Sequence, residues 1–145
     1  MMPYAEGNKD GKHYWLTPPD LMEKLQLEFD FDFDACPYPR SDGFDGLTAD
    51  WGQSTYVNPP FGSIIGADGK KKGPTAWVRK AIAEHRKGKR VVLTLPTDKW
   101  LHYLMAEEGV EFRSLGDVRW HAIEDGSKGK GIGRFNLLII LPGKR

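Results

Sequence analysis

The sequence has a single cysteine and no long apolar run. Cys36 alone cannot form an intramolecular disulfide or a zinc site built from several cysteines. No segment is long and apolar enough to span a membrane, and residues 1–12 lack the apolar core of a signal peptide. We therefore expect a soluble, cytoplasmic protein without a membrane partner.

Neither sign of charge dominates the chain. Its 21 basic and 20 acidic residues leave a formal net charge of +1, so any binding to nucleic acid must depend on local basic segments. The four histidines show no metal-ligand spacing, and no metal is expected. At 145 residues the chain suits one hydrophobic core, and we expect a single domain over residues 1–145, with residues 1–12 flexible.

Hydrophobic periodicity predicts strands that alternate with helices. Helices are expected after Thr17, the predicted N-cap with Pro18 and Asp20 behind it, and over residues 75–87 and 99–108. Strands are expected at residues 29–34, 54–57, 90–95, 110–120 and 135–141. The last two are expected to form an antiparallel hairpin. This order is typical of an α/β domain with a mixed sheet of about five strands.

The most informative motif is the tetrapeptide Asn58-Pro59-Pro60-Phe61, which follows a predicted strand. Its prolines lack backbone N–H groups, so this loop cannot continue the sheet. An amide, carbonyl oxygens and an aromatic side chain can together hold a planar amine by hydrogen bonding and stacking. By itself, the tetrapeptide could also be an ordinary strand-ending turn. Because ligands bind beyond the carboxyl ends of parallel strands, we expect residues 34–36, 58–61 and 96–98 to converge.

Further motifs surround this tetrapeptide in a fixed order. They are Trp15-x-Thr17-Pro18, Phe33-Asp34-Ala35-Cys36, Asp45-Gly46-Leu47 with Trp51, Leu93 to Pro96, Gly116 to Trp120, and Arg134-Phe135. From about Trp15 to Leu141 the chain resembles the phage-type DNA N6-adenine methyltransferases. The resemblance implies a compact, truncated Rossmann-like methyltransferase fold, S-adenosyl-L-methionine as cofactor and adenine N6 in double-stranded DNA as methyl acceptor. It also implies a phage or prophage gene, and hence the cytoplasm of a bacterial host.

The resemblance also implies roles for individual residues. Asn58 and Pro59 would accept hydrogen bonds from the adenine amine, and Phe61, after Pro60 in the same loop, would stack on the flipped base. The implied cofactor contacts are Trp15, Thr17, Pro18, Asp34, Ala35, Cys36 and Asp45. Asp34 matches the acid that faces the cofactor ammonium group. The interval between Asp34 and Asn58 is too short for the strand–helix units that normally carry the acid facing the ribose. Asp42, Asp45 or Asp50 in the connecting loop would take its place, and Asp45 is chosen because Asp45-Gly46-Leu47 matches the family pattern.

Basic residues near the predicted site are the candidate DNA contacts. They are Lys70, Lys71, Lys72, Arg119, Lys128, Lys130 and Arg134. A lysine run could equally be a solvated loop. Three alternatives to adenine N6 stay open: cytosine N4, another planar amine such as an RNA adenine or a glutamine amide, and a non-catalytic nucleic-acid-binding protein of the same fold. The sequence indicates neither the DNA target sequence nor the oligomeric state.

Overall fold

The computed structural model describes residues 15–37, 42–59, 64–65, 71–96, 99–116, 121–122 and 136–144. Strand β1 (Trp15–Leu16) and helix α1 (Pro19–Phe29) precede strands β2 (Phe33–Asp34), β3 (Ser54–Val57), β4 (Ile64–Ile65) and β5 (Lys71–Lys72). Next come helix α2 (Pro74–Arg86), strand β6 (Arg90–Pro96) and helix α3 (Leu101–Met105). Strands β7 (Glu111–Gly116), β8 (His121–Ala122) and β9 (Asn136–Leu141) complete the order. None of the described helices is long and apolar enough to cross a membrane.

Five of these strands form one mixed sheet in the spatial order β2-β3-β6-β9-β7. Strands β2, β3 and β6 are parallel, whereas β9 lies antiparallel between β6 and β7. Two short antiparallel pairs, β1 with β8 and β4 with β5, are separate from this sheet. The predicted mixed sheet of about five strands and the antiparallel pairing of the last two long strands are both confirmed.

Helices cover both faces of the sheet. On one face, Trp77 and Ala81 of α2 pack with Leu104 of α3 against the apolar side chains of β6. On the other face, Leu25 and Phe29 of α1 pack against β3, β6 and β9. Strand β6 is therefore buried over almost its whole length, as its nearly continuous apolar sequence predicts.

The prediction of a strand over residues 29–34 is wrong for most of its length. Helix α1 continues to Phe29 and ends at Asp30, which takes a left-handed conformation with φ 49° and donates its N–H to Gln26. Only Phe33 and Asp34 pair with β3. The phenylalanines are nevertheless at least partly buried and the aspartates exposed. The alternating pattern therefore indicated side-chain direction correctly but not backbone pairing.

Three further local predictions need correction. Thr17 does not cap α1, because Pro18 occupies the N-cap position and no side chain bonds the helix end there. Helix α3 covers Leu101–Met105, which is shorter than the predicted range of residues 99–108. Lys71–Lys72, for which a solvated loop was one of the two interpretations, forms strand β5.

Candidate active site

The carboxyl ends of β2, β3 and β6 lie side by side at one edge of the sheet. Asp34 at the end of β2 pairs with Tyr56 of β3, and Asn58 follows β3 directly after Val57 pairs with Leu93. The expected convergence is confirmed for Asp34 and Asn58, at the ends of two neighbouring parallel strands, with β6 paired beside them as far as Leu93. Phe61 and residues 97–98 lie outside the described residues.

A closed hydrogen-bond cycle holds the side-chain amide of Asn58 at this edge. The amide nitrogen Nδ2 donates to Thr17 Oγ1 at 3.3 Å, and the amide oxygen Oδ1 accepts from Thr94 Oγ1 at 3.4 Å. The Tyr56 hydroxyl closes the cycle, at 2.6 Å from Thr17 Oγ1 and 3.3 Å from Thr94 Oγ1. A predicted cofactor residue thus contacts the predicted amine-binding residue across 41 positions of sequence.

Sequence reasoning missed two members of this cycle, Tyr56 and Thr94. Both are buried, and both lie in strands whose sequences suggested ordinary core packing. One signal was present, because Thr94 is a hydroxyl-bearing residue near the carboxyl end of an otherwise apolar run. A polar side chain placed there, at the edge where ligands bind in open sheets, is a candidate site residue.

The hydrogen-bond cycle is electrically neutral at physiological pH. Burial raises the pKa of Tyr56 to about 12, and the hydrogen bonds with Thr17 and Thr94 only partly oppose that rise. The phenol therefore keeps its proton and can donate one hydrogen bond while accepting another. The cycle can orient the Asn58 amide without placing a charge beside it.

Two carboxylates lie near the end of β2. Asp34 Oδ1 accepts the backbone N–H of Cys36 at 2.9 Å. Desolvation raises the pKa of the Asp34 carboxyl group, although the residue as a whole keeps an exposed surface. Burial, followed by the charges of Asp34 and Asp45, raises the pKa of the Cys36 thiol well above its usual value. Cys36 is therefore a protonated packing residue next to both carboxylates.

The loop that carries Asp45 is held close to β2. Asp45 Oδ1 accepts the N–H of Leu47 at 2.9 Å, and the indole of Trp51 donates to Gly46 O at 2.7 Å. A Cβ atom on Gly46 would stand 2.0 Å from the carbonyl oxygen of Ala35. Asp45, the predicted ribose-binding acid, therefore lies in a loop close to the end of β2, where Asp34 lies. These donors and acceptors suit a ligand that combines a positive charge with hydroxyl groups.

The other predicted site residues are only partly described. Trp15 belongs to β1, Pro18 immediately precedes α1, and Pro59 is buried next to Asn58. Lys71–Lys72 forms one strand of the β4-β5 pair. Predictions outside the described residues are Pro60, Phe61, Lys70, Arg119, Lys128, Lys130 and Arg134. In the part of the chain that the structure describes, no group of three or more His, Cys, Asp or Glu could hold a metal ion.

Comparison with known protein families identifies the family of the chain. Residues 5–128, more than half of the chain, match the family described as DNA N-6-adenine-methyltransferase (Dam). The match includes Thr17, Asp34, Asp45 and Asn58 and ends before β9, whereas the sequence resemblance extended to Leu141. No curated protein matches the chain. The chain belongs to the DNA N-6-adenine-methyltransferase (Dam) family.

Proposed function

We propose that this protein uses S-adenosyl-L-methionine to methylate adenine N6 in double-stranded DNA. The observation that carries the proposal is the contact between Thr17 and Asn58, which joins the proposed cofactor segment to the proposed amine-binding loop. Family membership supports the acceptor. The mixed α/β sheet is compatible with a single-domain, compact Rossmann-like methyltransferase.

On the acceptor side, the chemical problem is that the adenine amine is a weak nucleophile. Its lone pair is delocalised into the ring, so hydrogen-bond acceptors that draw the amine toward a pyramidal form make the lone pair more reactive. An amide oxygen can accept two hydrogen bonds, and the bond from Thr94 to Asn58 Oδ1 is compatible with a second one from the amine. The Pro59 carbonyl is the second proposed acceptor. Pro60 contributes rigidity because its φ is fixed.

On the donor side, the proposed ligand is cationic. S-adenosyl-L-methionine, when bound, supplies a methyl group on a positively charged sulfonium. Asp34 is proposed to face the ammonium group and Asp45 the ribose hydroxyls, while Thr17 and the start of α1 are proposed to face the carboxylate. Trp15, Pro18, Ala35 and Cys36 complete the proposed cofactor contacts. In this arrangement the protein contributes alignment and charge complementarity.

The DNA side of the proposal depends on base flipping. A target amine inside a duplex cannot reach such a site, so the base would leave the stack and rest against Phe61. The proposed phosphate contacts are Lys70, Lys71, Lys72, Arg119, Lys128, Lys130 and Arg134. Many described cations elsewhere already pair with acids of the chain: Lys80, Lys87 and Lys89 with Glu84, Arg86 with Glu107, and Arg113 with Glu28 and Glu111. The proposed contacts are chosen instead for their places in the sequence, near the predicted site.

The test is to incubate the protein with methyl-labelled cofactor and double-stranded DNA, and to digest the DNA to nucleosides. We expect label in N6-methyl-2′-deoxyadenosine. Asn58→Ala should abolish this label while cofactor affinity, measured by calorimetry, changes only a few-fold. The matched control is Gln53→Ala, which removes an exposed amide at the opposite end of β3 and should leave activity unchanged.

Other outcomes of these experiments would favour one of the alternative functions. Label in N4-methyl-2′-deoxycytidine would replace adenine by cytosine as the acceptor. If saturable cofactor binding is absent both with and without DNA, the enzymatic proposal is wrong and a nucleic-acid-binding role is favoured. If Asn58→Ala still methylates DNA, Asn58 does not have the proposed catalytic role.

A further inference from the structure

The direction of every bond in the hydrogen-bond cycle follows from a count of protons. Thr94 donates its only hydroxyl proton to Asn58 Oδ1, so the 3.3 Å contact between Thr94 and Tyr56 must be a bond donated by the phenol. The phenol proton is then in use, and Thr17 must be the donor across the 2.6 Å contact with Tyr56. Asn58 Nδ2 donates to Thr17 and closes the cycle. Each hydroxyl thus accepts one bond and donates one.

This arrangement makes the orientation of the Asn58 amide a property of the whole cycle. If the amide alone turned over, its N–H groups would face the proton of Thr94, and its oxygen would face Thr17, whose proton points at Tyr56. Two bonds would be lost. The bonds within the cycle survive a reversal of the amide only if all three hydroxyl protons reverse with it. The phenol of Tyr56 is the member that connects the two threonines, so it transmits the orientation from one side of Asn58 to the other.

Burial makes the members of the cycle depend on one another. The side chains of Tyr56 and Thr94 are 2 % and 0 % exposed, so they have little access to water as an alternative partner. A buried hydroxyl that loses its partner stays unsatisfied, which is more costly than the net gain from an ordinary hydrogen bond. Loss of one member therefore weakens the whole arrangement rather than a single contact.

We propose that Tyr56 is a positioning residue that sets the orientation of the Asn58 amide and links it to Thr17. The proposal rests on the proposed function, in which Thr17 lies at the cofactor end of the site and Asn58 at the amine end. A ligand that bonds Thr17 Oγ1 changes the bond that Thr17 gives to Tyr56, and through Thr94 it changes the acceptor strength of Asn58 Oδ1. Cofactor binding and acceptor binding are thereby coupled, and the coupling is reciprocal.

The first test observes the Asn58 amide directly and needs no activity. The chain has only three asparagines and two glutamines, so their side-chain signals in a nitrogen–proton correlation spectrum can be assigned by substitution. We expect one Asn58 amide proton to exchange slowly with solvent. Tyr56→Phe and Thr94→Val should both shift the Asn58 signals and speed this exchange, while Gln26 and Gln53 stay unchanged.

The control is Thr94→Ser, which keeps the hydroxyl and should keep the slow exchange. It also covers the case in which Tyr56→Phe fails to fold, because the comparison of Thr94→Val with Thr94→Ser still isolates one hydroxyl. If the Asn58 signals are the same in the unaltered protein, Tyr56→Phe and Thr94→Val, the cycle does not orient the amide and the proposal is overturned. This result is independent of whether the protein methylates DNA.

The second test is kinetic. Tyr56→Phe should lower kcat roughly tenfold, the factor that corresponds to one net hydrogen bond, with little change in KM for the cofactor. In the unaltered protein, the affinity for S-adenosylhomocysteine should differ between measurements with and without DNA. This difference should be smaller in Tyr56→Phe. Unchanged kcat together with unchanged coupling in Tyr56→Phe would refute the positioning role. If even the unaltered protein does not methylate DNA, the proposed function is wrong. The side-chain signals of Asn58 then still test whether the cycle orients the amide.

Discussion

Gly46 lies so close to Ala35 that a Cβ atom on the glycine would stand 2.0 Å from the alanine carbonyl oxygen. The same glycine accepts the indole N–H of Trp51 through its own carbonyl at 2.7 Å. These two contacts hold the loop with Asp45 against the end of β2, where Asp34 lies. The absence of one methyl group therefore helps to determine where the second carboxylate of the proposed cofactor site is placed.

Replacement of Gly46 by alanine should destabilise the protein and displace this loop. The added methyl group meets a backbone oxygen and the Trp77 ring at 2.9 Å, neither of which is a flexible side-chain end. We expect a loss of about 1–3 kcal/mol in the free energy of unfolding, as is usual for overpacking, measured by urea denaturation. Gly73→Ala is the control, because nothing lies within 4 Å of its added Cβ. Equal stability of the two variants would contradict the close contact.

Glu84 of α2 holds the same loop, which carries Asp45 and Trp51, against the rest of the fold. Its fully buried carboxylate accepts the backbone N–H of Trp51 and the ammonium group of Lys89, both at 2.9 Å. Lys87 Nζ lies 2.7 Å from the second oxygen. Burial by itself would raise the pKa of Glu84, but these hydrogen bonds outweigh burial and lower the pKa to about 2. The carboxylate is therefore held in its charged form.

This carboxylate should make stability depend on acid pH. The folded pKa lies below the ordinary value of 4.5, so between these values the unfolded chain binds a proton that the folded protein does not. The contribution of Glu84 is present above pH 4.5 and should be lost as the pH falls toward 2. Glu84→Gln should lower the free energy of unfolding at neutral pH. It should also make this free energy depend less on pH between 4.5 and about 2. Urea denaturation at a series of pH values, with exposed Glu23→Gln as control, measures both effects; an unchanged slope would contradict the assignment.

Tyr56 should be recognisable by its late ionisation. Its pKa of about 12 exceeds the ordinary value of 10.0, so its contribution to stability is complete below pH 10.0 and should be lost as the pH rises toward 12. Of the five tyrosines, Tyr56 should give a phenolate absorbance component near the upper end of the titration. Tyr56→Phe should remove that component, whereas Tyr103→Phe, at an exposed position, should keep it. Survival of the late component in Tyr56→Phe would show that another group produces it.

The range of the interactions decides what the sequence could predict. Strand β6 and helix α2 were predicted well because their signals, an apolar run and a period of 3.6 residues, are local. The end of α1 at Asp30 was missed because a non-glycine residue in the left-handed conformation gives no strong stop signal. Thr17 was assigned as a cap because its actual partner, Tyr56, is 39 positions away.

The same distinction applies to the candidate site. The carboxyl ends of neighbouring parallel strands share one edge of a sheet, and this general rule predicts from the sequence that Asp34 and Asn58 lie together. The hydrogen-bond cycle could not be predicted in this way. Periodicity indicates that Tyr56 and Thr94 are buried, but their hydroxyl partners depend on the register of β3 against β6 and on the path of the chain into α1.

Asp34 provides the sharpest test of the proposed donor site. Asp34→Asn keeps an oxygen that can accept the Cys36 N–H and removes only the charge. If Asp34 faces a cationic group, the Kd for S-adenosyl-L-methionine measured by calorimetry should rise roughly tenfold or more, the equivalent of about 1.4 kcal/mol. Asp30→Asn, an exposed neighbour in a left-handed conformation that asparagine tolerates, should bind normally.

The pH dependence of binding gives this test a second readout. Desolvation raises the pKa of the Asp34 carboxyl group, so cofactor affinity should decline on acidification at a higher pH than for an ordinary aspartate. The decline should be absent in Asp34→Asn, which has no proton to gain at this position. Tight, pH-independent binding by the unaltered protein and by Asp34→Asn alike would mean that the cation is bound elsewhere, and Asp45→Asn would then be the next variant to measure.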